Sequence, residues 1–181
     1  MEIANKETVP HPRHLDMLFA HRSKVASVFR DVLGLHEISH IAIAYVNNRQ
    51  ELLTFSSTPA LEFNLFNSKL WRFDKTYHAD WYQLGAQAHW ETLYAQARYD
   101  ELYYIKQLRH RYPLGLSLAA KLVDSHVIYS IASHKECQHT KDLFTYQHEN
   151  FYKIGQYCAN TLLPLFLQSE QEFSPILQTQ V

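Results

Sequence analysis

Two segments decide the fold: Ile38-Ser39-His40-Ile41-Ala42-Ile43-Ala44-Tyr45-Val46 and, answering it, Glu51-Leu52-Leu53-Thr54-Phe55-Ser56-Ser57. The first is built of β-branched and small residues, with Ile41, Ile43 and Tyr45 on one face. The second sets Leu53 and Phe55 on one face. A repeat of two residues is the mark of a strand, because successive side chains leave opposite faces of the pleat. Between them, Asn47-Asn48 can take the positive φ of a tight hairpin turn. Thr58-Pro59 then opens a helix, with Thr as cap and Pro at the first helical position. Leu61, Leu65 and Phe66 form its inner stripe, which ends near Ser68.

Working outward, the period before this hairpin is helical. From Arg13 to Leu33, apolar side chains at Leu15, Leu18, Phe19, Val25, Val28, Phe29, Val32 and Leu33 recur every three or four residues, and Gly34 fits the position just past a helix end. After it, residues 69–81 are irregular and polar-aromatic. A longer helical region is expected from about Gly85 to Leu108, broken near Asp100 and ended by Pro113. Leu114 to Ala120 and Val127 to Ile131 then alternate as a second hairpin around Val123-Asp124-Ser125. Asp142 to Leu163 reads as one long helix that Pro164 kinks or ends. Helix, hairpin, helices, hairpin, helix describes an α+β layered domain around an antiparallel sheet. Its expected bounds are 13–167, with a loose arm over 1–12 and a tail over 168–181.

Composition removes several classes. The 181 residues carry 17 Lys and Arg against 18 Asp and Glu. That balance lacks the basic face that nucleic-acid binding needs. The small patch of Lys106, Arg109, His110 and Arg111 reads as the solvated face of a helix. The most apolar run, Ile38 to Val46, is too short and too interrupted to span a membrane. No secretory signal is legible at the N-terminus, so a cytoplasmic setting with Cys137 and Cys158 as reduced thiols is expected rather than one disulfide. The four glycines never cluster into a phosphate loop, and no G-x-S-x-G elbow occurs.

Two strings invite metal chemistry. His36-Glu37-Ile38-Ser39-His40 is a literal H-E-x-x-H. Such a string chelates zinc only when a helix brings both histidines onto one face. Here it follows Gly34 and runs into a strand, where the two would sit roughly 13 Å apart. A chain with 12 histidines also produces such strings by chance. His134, Cys137 and His139 form a second short cluster, read as a His-rich loop. No metal or cofactor is expected. The denser signal is aromatic: between Phe63 and Tyr104 lie all three tryptophans and many tyrosines, interspersed with Asp74, Asp80, His78 and His89. Aromatics fill cores, and they also wall ligand cavities. Trp71, Tyr77 and Trp81 fall in its irregular part, and loops carry function more often than core elements do.

Leu35 to Tyr45 entering a strand, Ser57-Thr58-Pro59 opening a helix, Leu114-Gly115-Leu116-Ser117-Leu118 paired with Val127-Ile128-Tyr129-Ser130-Ile131, and a long final helix together resemble the sensory domain of LuxR-type quorum-sensing regulators. PAS and GAF sensor domains share much of this layout. The resemblance covers roughly 13–165. It implies an α-β-α sandwich with a small-molecule cavity between sheet and helices. The family's ligand signature pairs a Trp and a Tyr four residues apart in the helix after the first hairpin, with an Asp nine residues further and a later Trp. In this chain Leu61 and Leu65 stand at the first two positions, Asp74 at the third, and Trp90 one residue from the fourth. The resemblance therefore implies Asp74 as acceptor for a ligand N–H and Trp90 as a cavity wall. The leucines remove the donors that hold a lactone, which leaves Tyr45, Tyr77, Trp81 and Tyr129 as candidate polar tips. Family members usually continue into a helix-turn-helix domain. This chain stops about seventeen residues after Pro164; read as complete, it implies a stand-alone sensor or a partner for a full-length regulator. The expected ligand is small and apolar or amphipathic, with homodimer or regulator pairing through the terminal helices. Two other readings stay open: a zinc-dependent hydrolase using His36, Glu37 and His40, and a ligand-free protein-interaction module.

Overall fold

In the computed structural model, which describes residues 7–173, the first hairpin is β2 (His40–Val46) and β3 (Glu51–Ser56), paired antiparallel with Ala42 opposite Ser56 and Val46 opposite Leu52. The turn differs from the expected one in detail. The left-handed residue is Gln50, at φ 62°, and Asn47 instead turns its side-chain oxygen onto the N–H groups of Arg49 and Glu51. This is the local self-bonding that favours Asn in turns. The second hairpin is β5 (Leu114–Lys121) and β6 (His126–Ser133). With β1 (Val9–Pro10) and β4 (Gln87–His89), the sheet runs β1-β3-β2-β6-β5-β4. All pairs are antiparallel except β1 with β3, which is parallel. Val9 and Pro10 fall within the segment read as a loose arm, yet Val9 donates its N–H to Gln50 and His11 to Leu52.

The four central strands are buried on both faces, and the alternation sorts the core into two halves. Ile41, Ile43, Leu53, Phe55, Leu116, Leu118, Tyr129 and Ile131 face one helical layer. Ala44, Val46, Leu52, Ala119, Ile128 and Ala132 face the other. The first layer is α2 (Arg22–Arg30) with Val25, Val28 and Phe29, α7 (Gln138–Tyr146) with Phe144, and α8 (His148–Phe173) with Phe151, Cys158, Leu162 and Phe166. The second is α3 (Pro59–Asn67), α4 (Ala79–Tyr82), α5 (Trp90–Leu93) and α6 (Tyr99–Tyr103), joined by single 3₁₀ turns at Leu70–Phe73 and Lys75–Tyr77. The result is an α-β-α sandwich.

The helices are shorter than their periodicity suggests. The stripe from Arg13 to Leu33 is two helices, α1 (His14–Phe19) and α2, broken where His21 turns left-handed at φ 53°. The break lets α1 pack along β3 while α2 packs on α8. Gly34 is left-handed past the end, at φ 97°. The region expected as helix from Gly85 supplies β4 instead, because the edge of β5 needs a partner for its backbone groups. The final helix splits at Gln147 into α7 and α8. α8 continues through Pro164 to Phe173, since Leu162 and Phe166 on either side are buried and hold the helix despite the missing bond. Cys137 and Cys158 are both free, the first exposed and the second buried. No helix among the described residues is long and apolar enough to cross a membrane.

His14 makes the fold sensitive to acid. It is buried under α1, bonded through Nε2 to Thr54 Oγ1 at 3.0 Å and packed on Phe66. Burial, with a smaller contribution from neighbouring His11, lowers its pKa to about 4. The unfolded chain therefore binds a proton between pH 6.5 and 4 that the folded state refuses, so stability falls as pH falls through that window. The expected loss is about 2 kcal/mol on going from pH 7 to pH 5. Urea unfolding at the two pH values measures it, and His14→Leu should flatten this part of the profile.

Candidate functional site: a caged ion pair beside an aromatic cavity

The irregular segment after α3 carries the candidate site because several short-range ties hold it. Asp74 pairs its backbone with Tyr94 in an isolated antiparallel bridge, and the Ala95 N–H reaches Phe73 O at 2.8 Å. Thr76 Oγ1 meets Ser117 Oγ on β5 at 3.0 Å, which fastens the loop to the sheet. Asp74 is fully buried. Its Oδ1 accepts the Thr76 N–H at 3.0 Å, and its Oδ2 accepts Lys106 Nζ at 2.7 Å.

Lys106 corrects the sequence reading. Read as part of a solvated basic patch, it is 1% exposed. It lies on a single π-helical turn, Tyr104–Leu108, directly after α6. This wider turn brings Lys106 and Gln107 to the inside together. The ammonium sits 4.3 Å from the Trp90 ring centroid and 5.4 Å from that of Tyr94. A buried charge needs a counter-charge and oriented dipoles. Here Asp74 supplies the first, and the faces of two aromatic rings supply a cation–π environment. Tyr94 in turn donates its hydroxyl to Gln107 Oε1, and the Gln107 amide donates to Glu91 and to Pro113 O. Burial foremost, then the Asp74 charge, pushes the phenols of Tyr77 and Tyr94 well above their usual value, so both stay neutral donors.

Seven of the nine sequence-selected residues share this layer. Leu61, Leu65, Trp71, Tyr77 and Trp90 are buried in the same cluster, Trp81 packs at its edge, and Asp74 sits within it. Phe66 stacks on Trp71 at 5.7 Å and meets Tyr77 edge-on at 5.1 Å. Tyr45 and Tyr129 leave the set. They point through the opposite face of the sheet, where Tyr45 lies near Phe166 and Tyr129 lies under α8 at Gly155. The cause is strand parity: Tyr45 shares its face with Ile41 and Ile43, which serve the other core.

The cluster opens to the surface at a cavity of about 300 Å³, walled by Trp71 and Tyr77 and rimmed by Glu7, Thr8, Arg72 and Asp80. Arg72 lies over the Trp71 ring at 5.7 Å. Thr8 donates to the Tyr82 hydroxyl, which itself donates to Gln50 Oε1 at 2.6 Å. The rim thereby ties the residues preceding β1 to the aromatic layer.

A second buried polar group lies on the same side of the sheet. His40 Nδ1 meets Thr58 Oγ1 at 2.9 Å, and Thr58 Oγ1 meets the Tyr112 hydroxyl at 2.8 Å. Thr58 thus spends its hydroxyl here and does not cap α3. Instead Ser56 Oγ accepts the Thr58 N–H and donates to Glu62 Oε2 at 2.6 Å. The H-E-x-x-H string is divided between layers. His36 and Glu37 are left-handed in a 3₁₀ turn, the His36 ring meets Phe151 of α8, and His40 begins β2 and faces Tyr112 and Trp90. Glu37 pairs with Lys135. The helix on which a two-histidine zinc site depends is absent from this stretch, and among the described residues no three His, Cys, Asp or Glu side chains are placed to hold a metal ion.

Lys106, Gln107, Tyr94, Glu62 and Tyr112 were missed as site residues. The one available signal for Lys106 is its setting, Tyr103-Tyr104-Ile105-Lys106-Gln107-Leu108, where a lone charge lies in an apolar-aromatic run four residues after Leu102.

A six-stranded, nearly all-antiparallel sheet between these two helical layers is a fold that the chain shares with SdiA. The chain is similar over 80% of its length to a structure of SdiA in complex with octanoyl-rac-glycerol, with a TM-score of 0.55 and 10% identity. It is similar over 82% of its length to a crystal structure of Escherichia coli SdiA, with a TM-score of 0.52 and 12% identity. The matches span 59% and 63% of those chains. No family model and no curated protein matches the sequence.

Proposed function

We propose that this domain binds a small amphipathic molecule and passes its occupancy to a regulatory partner. The observation that carries this reading is the cavity walled by Trp71 and Tyr77, whose apolar rings lie next to the buried Asp74 and beneath a polar rim. Aromatic walls and fixed polar groups together make up small-molecule sites, and here Glu7, Thr8, Arg72, His78 and Asp80 supply the polar part. The likeness in fold to SdiA, one structure of which holds octanoyl-rac-glycerol, supports the same reading. The polar groups differ from a lactone-binding arrangement. Leu61 and Leu65 bring no donor, and Lys106 already occupies one oxygen of Asp74. An acyl chain with a neutral hydroxylated head fits the rim better than an acyl amide that needs Asp74 as its main acceptor. Binding would favour the folded, closed state, and pairing with a second copy or a regulator through the terminal helices would convert occupancy into an output.

Thermal unfolding with octanoyl-glycerol tests this. At a hundredfold excess over its dissociation constant a specific ligand adds about 2.7 kcal/mol, a rise in Tm of several degrees. Trp71 and Trp81 should report binding by fluorescence. Ala79→Phe, which fills the cavity from its wall, should abolish the shift while leaving the free protein folded. An unchanged Tm at saturation, or a shift that survives Ala79→Phe, overturns the proposal.

A further inference from the structure

A second cavity, of about 380 Å³, lies between α2 and the start of α3. Its chemistry differs from that of the aromatic one. Val25, Phe29 and Leu33 of the α2 segment form an aliphatic and aromatic wall, and the hydroxyl-bearing turn Ser56-Ser57 forms the floor. Arg22 and Arg30 stand at the rim. They are eight residues apart on one helix, so they share a face with Ala26 and are separated by about 12 Å along the axis. Among the described residues, neither guanidinium takes part in an ion pair or a hydrogen bond.

We infer that this cavity is a binding site for a single-chain anionic amphiphile, an acyl carboxylate. The argument is charge and shape together. Two unpaired guanidiniums beside an apolar wall offer a carboxylate a forked, charge-assisted pair and its chain a dry surface. The neighbouring acids fix the orientation. Glu62 lies buried directly behind Ser56, and Asp31 follows Arg30 with its carboxylate held by the Tyr157 hydroxyl at 2.8 Å. A negative head is therefore disfavoured at the floor and held at the arginine rim, with the chain lying along Ala26 and Leu33 above the buried Val25 and Phe29. The assignment stands on its own lining residues, none of which borders the aromatic cavity.

Titration calorimetry with decanoate below its micelle concentration tests the site on the whole chain. Saturable one-to-one binding is expected, weakening as salt is raised. Replacing both arginines, Arg22→Gln with Arg30→Gln, should lower the affinity at least about tenfold. Decanol should bind at least about tenfold more weakly than decanoate and ignore the arginine changes. Ala26→Trp, at an exposed helix position, should block decanoate and leave the octanoyl-glycerol response intact. Ala79→Phe should do the reverse. The inference is overturned if no saturable binding occurs, if decanol matches decanoate, if Ala26→Trp leaves binding unchanged, or if Ala79→Phe removes it. The last result would assign decanoate to the aromatic cavity.

Discussion

Lys106→Met should lower the unfolding free energy by about 3–5 kcal/mol, the cost of leaving a buried carboxylate without its counter-charge. Asp74 is fully buried and 2.7 Å from Nζ. With the ammonium gone, only the Thr76 N–H remains on the carboxylate, and water cannot replace the lost partner without opening the aromatic layer. The methionine itself should be tolerated. It is unbranched like lysine and only one heavy atom shorter, and its sulfur is at home against Trp90 and Tyr94. The loss therefore belongs to the stranded charge, and the double variant Asp74→Leu with Lys106→Met should recover most of it. Urea unfolding of the two single variants and the double variant closes the cycle. A Lys106→Met protein within about 1 kcal/mol of the parent would mean that Asp74 finds another partner and that the pair does not organise the site.

Gly115→Ala should be the other severe change. A Cβ at this position would fall inside the Trp90 indole. Trp90 is fully buried, held between β5, Lys106 and the edge of His40, so it has no free direction in which to yield. Overpacking of a tight core costs typically 1–3 kcal/mol, and a bulky rigid ring facing a central strand puts this case at about 3 kcal/mol or more. The strand itself tolerates alanine, so the penalty belongs to the contact. Trp90→Leu alone should destabilise by creating a void, but with Gly115→Ala the two losses should sum to less than their separate costs. A coupling of about 1–3 kcal/mol is expected in the double-mutant cycle. Additive losses would show that the indole does not rest on Gly115.

The physics that made parts of this molecule legible is local. Both hairpins followed from a two-residue repeat that survives in sequence even though the strands are buried on both faces. Pro59 and Gly34 marked a helix start and a helix end because backbone restriction is intrinsic to those residues. Asp74 and Trp90 were found through resemblance, and the structure sets them in one cluster. What failed was whatever depended on a partner distant in sequence. β4 carries no strand pattern of its own and exists because β5 offers it hydrogen bonds. The break at His21 exists because α1 and α2 serve different neighbours. Tyr45 and Tyr129 are as aromatic as Tyr77, but strand parity sends them to the wrong core for the site. Lys106 was the hardest to see. Nothing in a lysine's composition announces burial, and its partner lies thirty-two positions earlier.

The short strand Val9–Pro10 bears on a property outside ligand chemistry. Without it, β3 would present a row of open backbone groups at the margin of the sheet, the template on which a neighbouring chain can add a strand. Two residues suffice to cover the start of that margin, and the second is a proline, which accepts but cannot donate and so extends the sheet no further. The opposite margin is closed almost as briefly, by three residues of β4 on β5. Among the described residues, the two margins of the sheet are thus covered by five residues that contribute little to either core.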